Sequence, residues 1–174
     1  MRKYSDYEIE KALEEITIIA DTREQDTEAF RRRFKAVGLP VIRRKLDFGD
    51  YSAIVNINGE EFSLENQVVI ERKMSVDELC MCFGKERQRF QREFQRAKEA
   101  GARIYLITEN GTWENVFAGR YRSKLNAEAL TASLAAWSAR YSLIPLFCKP
   151  ETSGRLIALL LKYELRERLG VIEC

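Results

Sequence analysis

Not one histidine occurs in the 174 residues. Ser-His-Asp and Cys-His catalysis therefore have no base, and zinc sites built on imidazole have no ligand. Any chemistry must use carboxylates, lysine, arginine or tyrosine. Cysteine is scarce too. Cys80, Cys82, Cys148 and Cys174 lack metal-ligand spacing, and a C-x-C pair without histidine makes a poor zinc site. They read as buried or free thiols in a reducing compartment. No run approaches the roughly 20 apolar residues of a membrane span, and Met1-Arg2-Lys3-Tyr4-Ser5-Asp6 opens on charge rather than an apolar leader. The expectation is a soluble, unexported protein. The net charge is only +2, so bulk electrostatics points to no polyanionic partner and any such case rests on local clusters. No repeat or low-complexity linker divides the chain, and 45% hydrophobic content supports one core, hence one domain over residues 1–174.

What is present is an alternation of helical and strand periods. Residues 6–15 read as a short amphipathic helix and 17–20 as a buried β-branched strand. Residues 26–37 place Phe30, Phe34 and Val37 on one helical face. Strands follow at 41–46 and 50–57, the Asn58-Gly59 pair signals a hairpin, and the return leads through 61–64 to a strand over 67–73. Ser75 caps a helix over 76–83, with Glu78 completing a capping box. Gly84 separates it from a helix over 85–100, closed by Gly101. A strand at 103–108, a helix at 126–141, a strand at 143–149 and a helix at 153–169 complete the chain. This order predicts a three-layer α/β/α domain with a mixed central sheet.

The chemistry concentrates in Gly49-Asp50-Tyr51, Glu71-Arg72-Lys73 and Asp77. Asp50 opens one strand and Glu71 ends another, 21 positions later, so the intervening hairpin brings both to one end of the sheet. Two carboxylates there suit Mg²⁺ or Mn²⁺, which prefer oxygen ligands. Side chains alternate along a strand, so Glu71 and Lys73 share a face while Arg72 points away. Lys73 then reaches an attacking water or a scissile phosphate. Taken singly, an Asp after Gly is an ordinary turn residue and E-R-K an ordinary solvated strand end. Their combination behind an apolar strand is what points to metal-assisted phosphodiester cleavage.

Asp21-x-Arg23-Glu24, Gly49-Asp50-Tyr51 and Glu71-Arg72-Lys73 followed by Asp77 resemble the nuclease domain of the XPF-type structure-specific endonucleases, whose signature is G-D-x(n)-E-R-K-x(3)-D. The resemblance covers roughly residues 16–150 and implies a restriction-endonuclease-like core. It implies that Asp50, Glu71 and the Arg72 carbonyl hold the metal and that Lys73 activates water or orients phosphate. Asp21 would be a further acidic member of the site, with Arg23 and Glu24 shaping its floor and Asp77 supporting it. Eukaryotic and archaeal members carry a tandem helix-hairpin-helix domain after the nuclease. Here one apolar helix and a short tail follow Pro150, so the expectation is the stand-alone form of prokaryotes and their phages, in the cytoplasm. A catalytically silent DNA-binding scaffold subunit is the alternative, although such subunits usually lose the acidic and E-R-K residues.

Two basic clusters are candidate DNA contacts. Lys85, Arg89, Arg92 and Arg96 form a stripe beside the Phe90, Phe94, Ala97 core stripe, and the resemblance singles out Arg89. Arg120, Arg122 and Lys124 interleave with Tyr121 in a loop, a pattern suited to backbone contacts or base stacking. A solvated helix face and a solvated loop would give the same patterns. In the last helix, Leu156, Ile157, Leu159, Leu160, Leu161, Tyr163 and Leu165 leave little polar face. One side covering the sheet and the other meeting a second subunit would account for it, and the resemblance likewise implies a homodimer.

Overall fold

The computed structural model describes residues 4–35 and 37–170; Met1 to Lys3 and Cys174 lie outside them. Helix α1 (Asp6–Glu14) starts at Ser5, whose side chain and that of Glu8 cap each other's backbone, and it buries Ile9, Ala12 and Leu13. Strand β1 (Thr17–Ala20) is inaccessible from Ile18 onward. Helix α2 (Glu28–Lys35) turns Phe30, Arg33 and Phe34 inward. Strand β2 (Val41–Arg43) ends three residues short of the expected 46, because the Leu46 N–H leaves the ladder for the Asp21 carboxylate at 2.6 Å.

Strands β3 (Tyr51–Ile57) and β4 (Glu60–Ser63) form the expected hairpin through Asn58 and Gly59, both at positive φ as a two-residue I′ turn requires. Strand β5 (Val68–Lys73) carries the Glu-Arg-Lys triplet. Helix α3 (Val76–Phe83) is capped by Ser75, whose hydroxyl accepts from Glu78 N, and Gly84 separates it from α4 (Arg87–Glu99). Strand β6 (Arg103–Glu109) is followed by α5 (Trp113–Phe117), a single turn capped by Thr112 and too short for periodicity to reveal. Helix α6 (Ala127–Tyr141), capped by Asn126, strand β7 (Leu143–Cys148) and α7 (Pro150–Gly170) complete the order. Pro150 begins α7 three residues before the expected start, as befits a residue with no N–H to satisfy.

The seven strands of the described residues form one mixed sheet, in the order β2-β1-β3-β5-β6-β7 with β4 also beside β3. The β1–β2, β5–β6 and β6–β7 pairs are parallel; β3 runs antiparallel to β1, β4 and β5. Helices α1, α2 and α7 pack on one face around Ile18, Tyr51, Ile70, Ile107 and Leu161. Helices α3, α4, α5 and α6 cover the other around Leu79, Phe90, Phe94, Leu106 and Trp137. The result is the expected three-layer arrangement. Helix α7 buries one side only: Arg155, Lys162 and Arg166 surround Leu159 and Tyr163 on its outer face. The long aliphatic run concealed that polarity, so a second covering surface is not needed to complete it. No described helix is long and apolar enough to cross a membrane.

Candidate active site

The site is built where β3 begins and β5 ends. Gly49 sits at φ +73°, and a Cβ there would meet Val69 Cβ at 2.8 Å. Only glycine lets the chain turn this tightly against β5. The turn fixes Asp50 through its backbone: Asp50 N–H donates to Ile70 O, and Asp50 O accepts from Asp21 N, both at 2.8 Å. The Asp50 side chain reaches across to β5, where Oδ2 accepts from Arg72 N at 2.7 Å. A strand residue presents its N–H and C=O to the same neighbour. The Arg72 carbonyl therefore faces the Asp50 side, just past the point where β3 can pair with it.

Alternation along β5 separates the triplet as expected. Glu71 and Lys73 turn toward α3 and α4. There the Lys73 ammonium is paired with Glu71 Oε1 and lies 5.1 Å from the centre of the Phe90 ring. Burial pushes the Asp50 carboxyl well above the usual carboxylate range, and the charge of Glu71 adds to the effect. Burial also raises Glu71, offset by Lys73 and reinforced by Glu93. Burial opposes the charge on Lys73, yet Glu71 and Asp50 together hold its ammonium above its ordinary range. Half-buried Asp50 and buried Glu71 raise the cost of each other's charge, and Lys73, paired with Glu71, offsets it only in part. A hard divalent cation would meet that need with oxygen ligands. Among the described residues, no set of three acidic or thiol side chains converges in metal-binding geometry. Asp50 and Glu71, with the Arg72 carbonyl, are the oxygens that could hold a cation here.

Arg72 enters a separate network on the opposite face. Its guanidinium is 3.1 Å from Glu109 and 3.9 Å from Glu24. Glu109 also lies 3.4 Å from Arg33, which donates to Tyr51 Oη at 3.1 Å and Ser153 Oγ at 3.2 Å. Tyr51 in turn donates to Glu24. Helix α7 comes close enough for this because residue 154 is glycine, where a Cβ would fall 2.2 Å from Arg33 O. The network borders a cleft of about 530 Å³ that Asp50, Arg72, Lys73, Arg23, Glu24 and Gln25 help to line. Arg72 Nε and Glu109 Oε1 are buried with no hydrogen-bond partner among the described residues.

The remaining expected residues occupy distinct places. Asp21 is buried and fully engaged away from the pair: Oδ1 accepts from Arg23 N and Nε, each at 2.7 Å, and Oδ2 from Leu46 N. Burial opposes its charge, but these donors hold its carboxyl below the usual range. It ties together the two loops that deliver Gly49. Arg23 lies 3.9 Å from Glu93. Asp77 accepts from Arg122 N at 2.8 Å and Ser123 N at 2.7 Å and pairs with Arg122 Nε at 3.2 Å, so it staples the 119–125 loop rather than entering the carboxylate pair. Lys85, Arg89, Arg92 and Arg96 are exposed; Arg89 pairs with Glu86, and Arg96 donates to Asp47 O at 3.2 Å. Arg120, Arg122 and Lys124 are exposed in the loop.

Three side chains escaped the sequence reading. Glu93 projects from α4 so that Oε1 accepts from Gly49 N at 3.0 Å, beside Glu71. Its signal was an acid one position from Phe94, flanking the apolar stripe of an otherwise basic helix. Arg33 and Glu109 were visible as charges inside apolar patterns, between Phe30 and Phe34 and at the end of a buried strand. A charge in such a place needs a buried partner.

A family model described as "ERCC4 domain" matches residues 20–160. Among solved structures, the chain is similar to XPF from Aeropyrum pernix, with 22% identity and a TM-score of 0.62, covering 86% of this chain and 65% of that one. A structure of XPF from Aeropyrum pernix in complex with DNA gives 20% identity and a TM-score of 0.62, covering 90% of this chain and 68% of that one. No curated protein matches the sequence. The structural likeness and the mixed sheet between two helical layers show a restriction-endonuclease-like α/β fold. With the family model spanning most of its length and the G-D, E-R-K and Asp77 signature in place, the chain belongs to the ERCC4 domain family, the XPF-type nuclease group.

Proposed function

We propose that the protein is a metal-dependent endonuclease that hydrolyses DNA phosphodiester bonds, with branched or duplex/single-strand junction DNA as its substrate. The observation that carries this reading is half-buried Asp50 facing buried Glu71, with Lys73 paired to Glu71. The similarity to XPF solved in complex with DNA supports the substrate class. Mg²⁺ or Mn²⁺ would be held by Asp50, Glu71 and the Arg72 carbonyl, supplying Lewis acidity at the phosphate and a lowered water pKa. Lys73, paired with Glu71, presents its ammonium to the attacking water or the charge growing on the phosphate. The Arg72 N–H holds Asp50 in register with Glu71. Displacement of the 3′ oxygen leaves 5′-phosphate and 3′-hydroxyl ends.

A second copy of the chain is a further proposed partner. Its support is the exposed aromatic pair Trp113 and Phe117 on α5, since large apolar side chains grouped at a surface mark interaction sites. Sedimentation of the wild type and of Phe117→Glu tests it: a dimer that the substitution dissociates supports the proposal, and a monomeric wild type refutes it. For the activity, the purified chain is incubated with forked and plain duplex DNA in Mg²⁺, in Mn²⁺ and in chelator. Divalent-dependent cutting that favours the fork is the expected result. Binding without cleavage under either metal would overturn it in favour of a silent scaffold subunit.

A further inference from the structure

We propose that the cleft between α3 and the 119–125 loop binds one unpaired nucleotide of the DNA substrate, away from the cleavage site. The proposal rests on the DNA-nuclease reading above. The two basic clusters, separate in sequence, meet here: Lys85, Arg122 and Lys124 border a cleft of about 680 Å³ whose floor is Cys80, Met81 and Leu125.

The loop is built to hold this shape. Asp77 takes the N–H groups of Arg122 and Ser123 and the Arg122 guanidinium. Tyr121 Oη donates to Leu125 O at 2.9 Å, and Leu125 N donates to Ser123 Oγ at 3.2 Å. A loop tied at both ends loses little freedom when a ligand arrives. Asp77 is the acid bordering the cleft, and its charge is matched by Arg122. Lys85 and Lys124 have no ion-pair partner among the described residues, so the rim carries surplus positive charge.

The floor decides which form of DNA fits. Met81 is 51% exposed, an apolar side chain left open between cations. Phosphates alone would need the cations and not the floor. A base-paired duplex keeps its base faces stacked and has none to place there. An unpaired nucleotide supplies both, its phosphate to Lys85 and Lys124 and its base face to Met81 and Leu125. Asp77, which ties the loop, lies four residues past Lys73, in the first turn of α3. On this proposal, a strand leaving the scissile position as a single-stranded arm reaches this cleft.

The experiment measures fluorescence anisotropy of an oligothymidylate and of a blunt duplex hairpin, on an Asp50→Asn background to prevent cleavage. Lys85→Ala/Lys124→Ala is expected to weaken oligothymidylate about tenfold, with the slope of log K against log salt falling by about 1.4, two single-strand phosphate contacts at about 0.7 each. Met81→Ser is expected to weaken it several-fold with the slope unchanged, since it removes contact and no charge. The hairpin loses less in each case. An unaltered oligothymidylate affinity in Met81→Ser, or equal losses for both probes, would overturn the nucleotide site. All three substitutions are at exposed positions, and near-ultraviolet circular dichroism checks the fold. Mg²⁺-dependent cutting by the wild-type chain reports on the nuclease reading separately, so failure of one is distinguishable from failure of the other.

Discussion

Replacing Glu109 by glutamine should destabilise the protein far more than a surface charge change would. The Glu109 and Arg33 side chains are each 5% exposed and 3.4 Å apart, and Arg72, 11% exposed, lies 3.1 Å away. With Glu24, two guanidiniums and two carboxylates balance. Glutamine preserves volume and shape but leaves one buried positive charge unmatched. Arg72 retains Glu24 at 3.9 Å, whereas Arg33 keeps only the neutral Ser153 and Tyr51 hydroxyls. Removing one partner of a buried pair costs about 3–5 kcal/mol. Arg72 borders the cleft and can recruit water, so the low end applies, about 3 kcal/mol. Urea unfolding followed by circular dichroism and tryptophan fluorescence measures it. Adding Arg33→Met to Glu109→Gln removes the stranded cation and should recover at least about 1 kcal/mol of the loss. A cost below about 1 kcal/mol, the scale of exposed pairs, would refute the claim that this network is a buried, balanced unit.

Gly49→Ala combines a left-handed backbone, which costs about 1–2 kcal/mol, with a Cβ 2.8 Å from Val69 Cβ. Unfolding should show about 2–4 kcal/mol of destabilisation in total, and a loss under about 0.5 kcal/mol would contradict the tight turn. Glu93→Gln keeps an acceptor for Gly49 N–H and should hold Mn²⁺ affinity within about threefold, whereas Glu93→Ala should lose about 10–100-fold by calorimetry; equal losses would show that the charge, not the hydrogen bond, matters. The Asp77 carboxyl is held below its ordinary range: burial opposes this, but Ser123 N–H and the Arg122 donors outweigh it. An acid with a depressed native pKa stabilises fully above its unfolded value of about 3.9 and loses that contribution as pH falls through the native one. Amide protection of Arg122 and Ser123 should therefore drop as pH falls below the ordinary carboxylate range while strand amides stay protected, and unchanged protection would exclude the staple.

Most of the architecture was legible because periodicity, caps and turn chemistry agree along the chain. Asn58-Gly59, Ser75 and Asn126 each marked a turn or helix start where the structure has one. The single-turn α5 was not legible, since five residues carry no period. Strand β2 came out short because Asp21, 25 residues before Leu46, captures a backbone donor that local pattern assigns to the ladder. In the site, alternation assigned Glu71 and Lys73 to one face and Arg72 to the other, a purely local consequence of strand geometry. What pattern could not supply was pairing across elements. Asp21 and Asp77 looked like members of an acidic cluster, yet each spends its oxygens on loop N–H groups. Glu93, Arg33 and Glu109 appear beside the site only once α4, α2 and β6 are packed. The apolar run of α7 hid Arg155, Lys162 and Arg166 because they are spaced singly among leucines and share one face only once the helix is formed.

The account's central claim is that Asp50 and Glu71 act together on a divalent cation. Single-turnover cleavage of a forked DNA by the wild type, Asp50→Asn and Glu71→Gln, with Mn²⁺ binding measured on the same preparations, tests it most directly. Both variants should fold, lose Mn²⁺ binding and cleave more slowly by on the order of 10²–10³-fold or more. Wild-type rates in either variant would contradict the account.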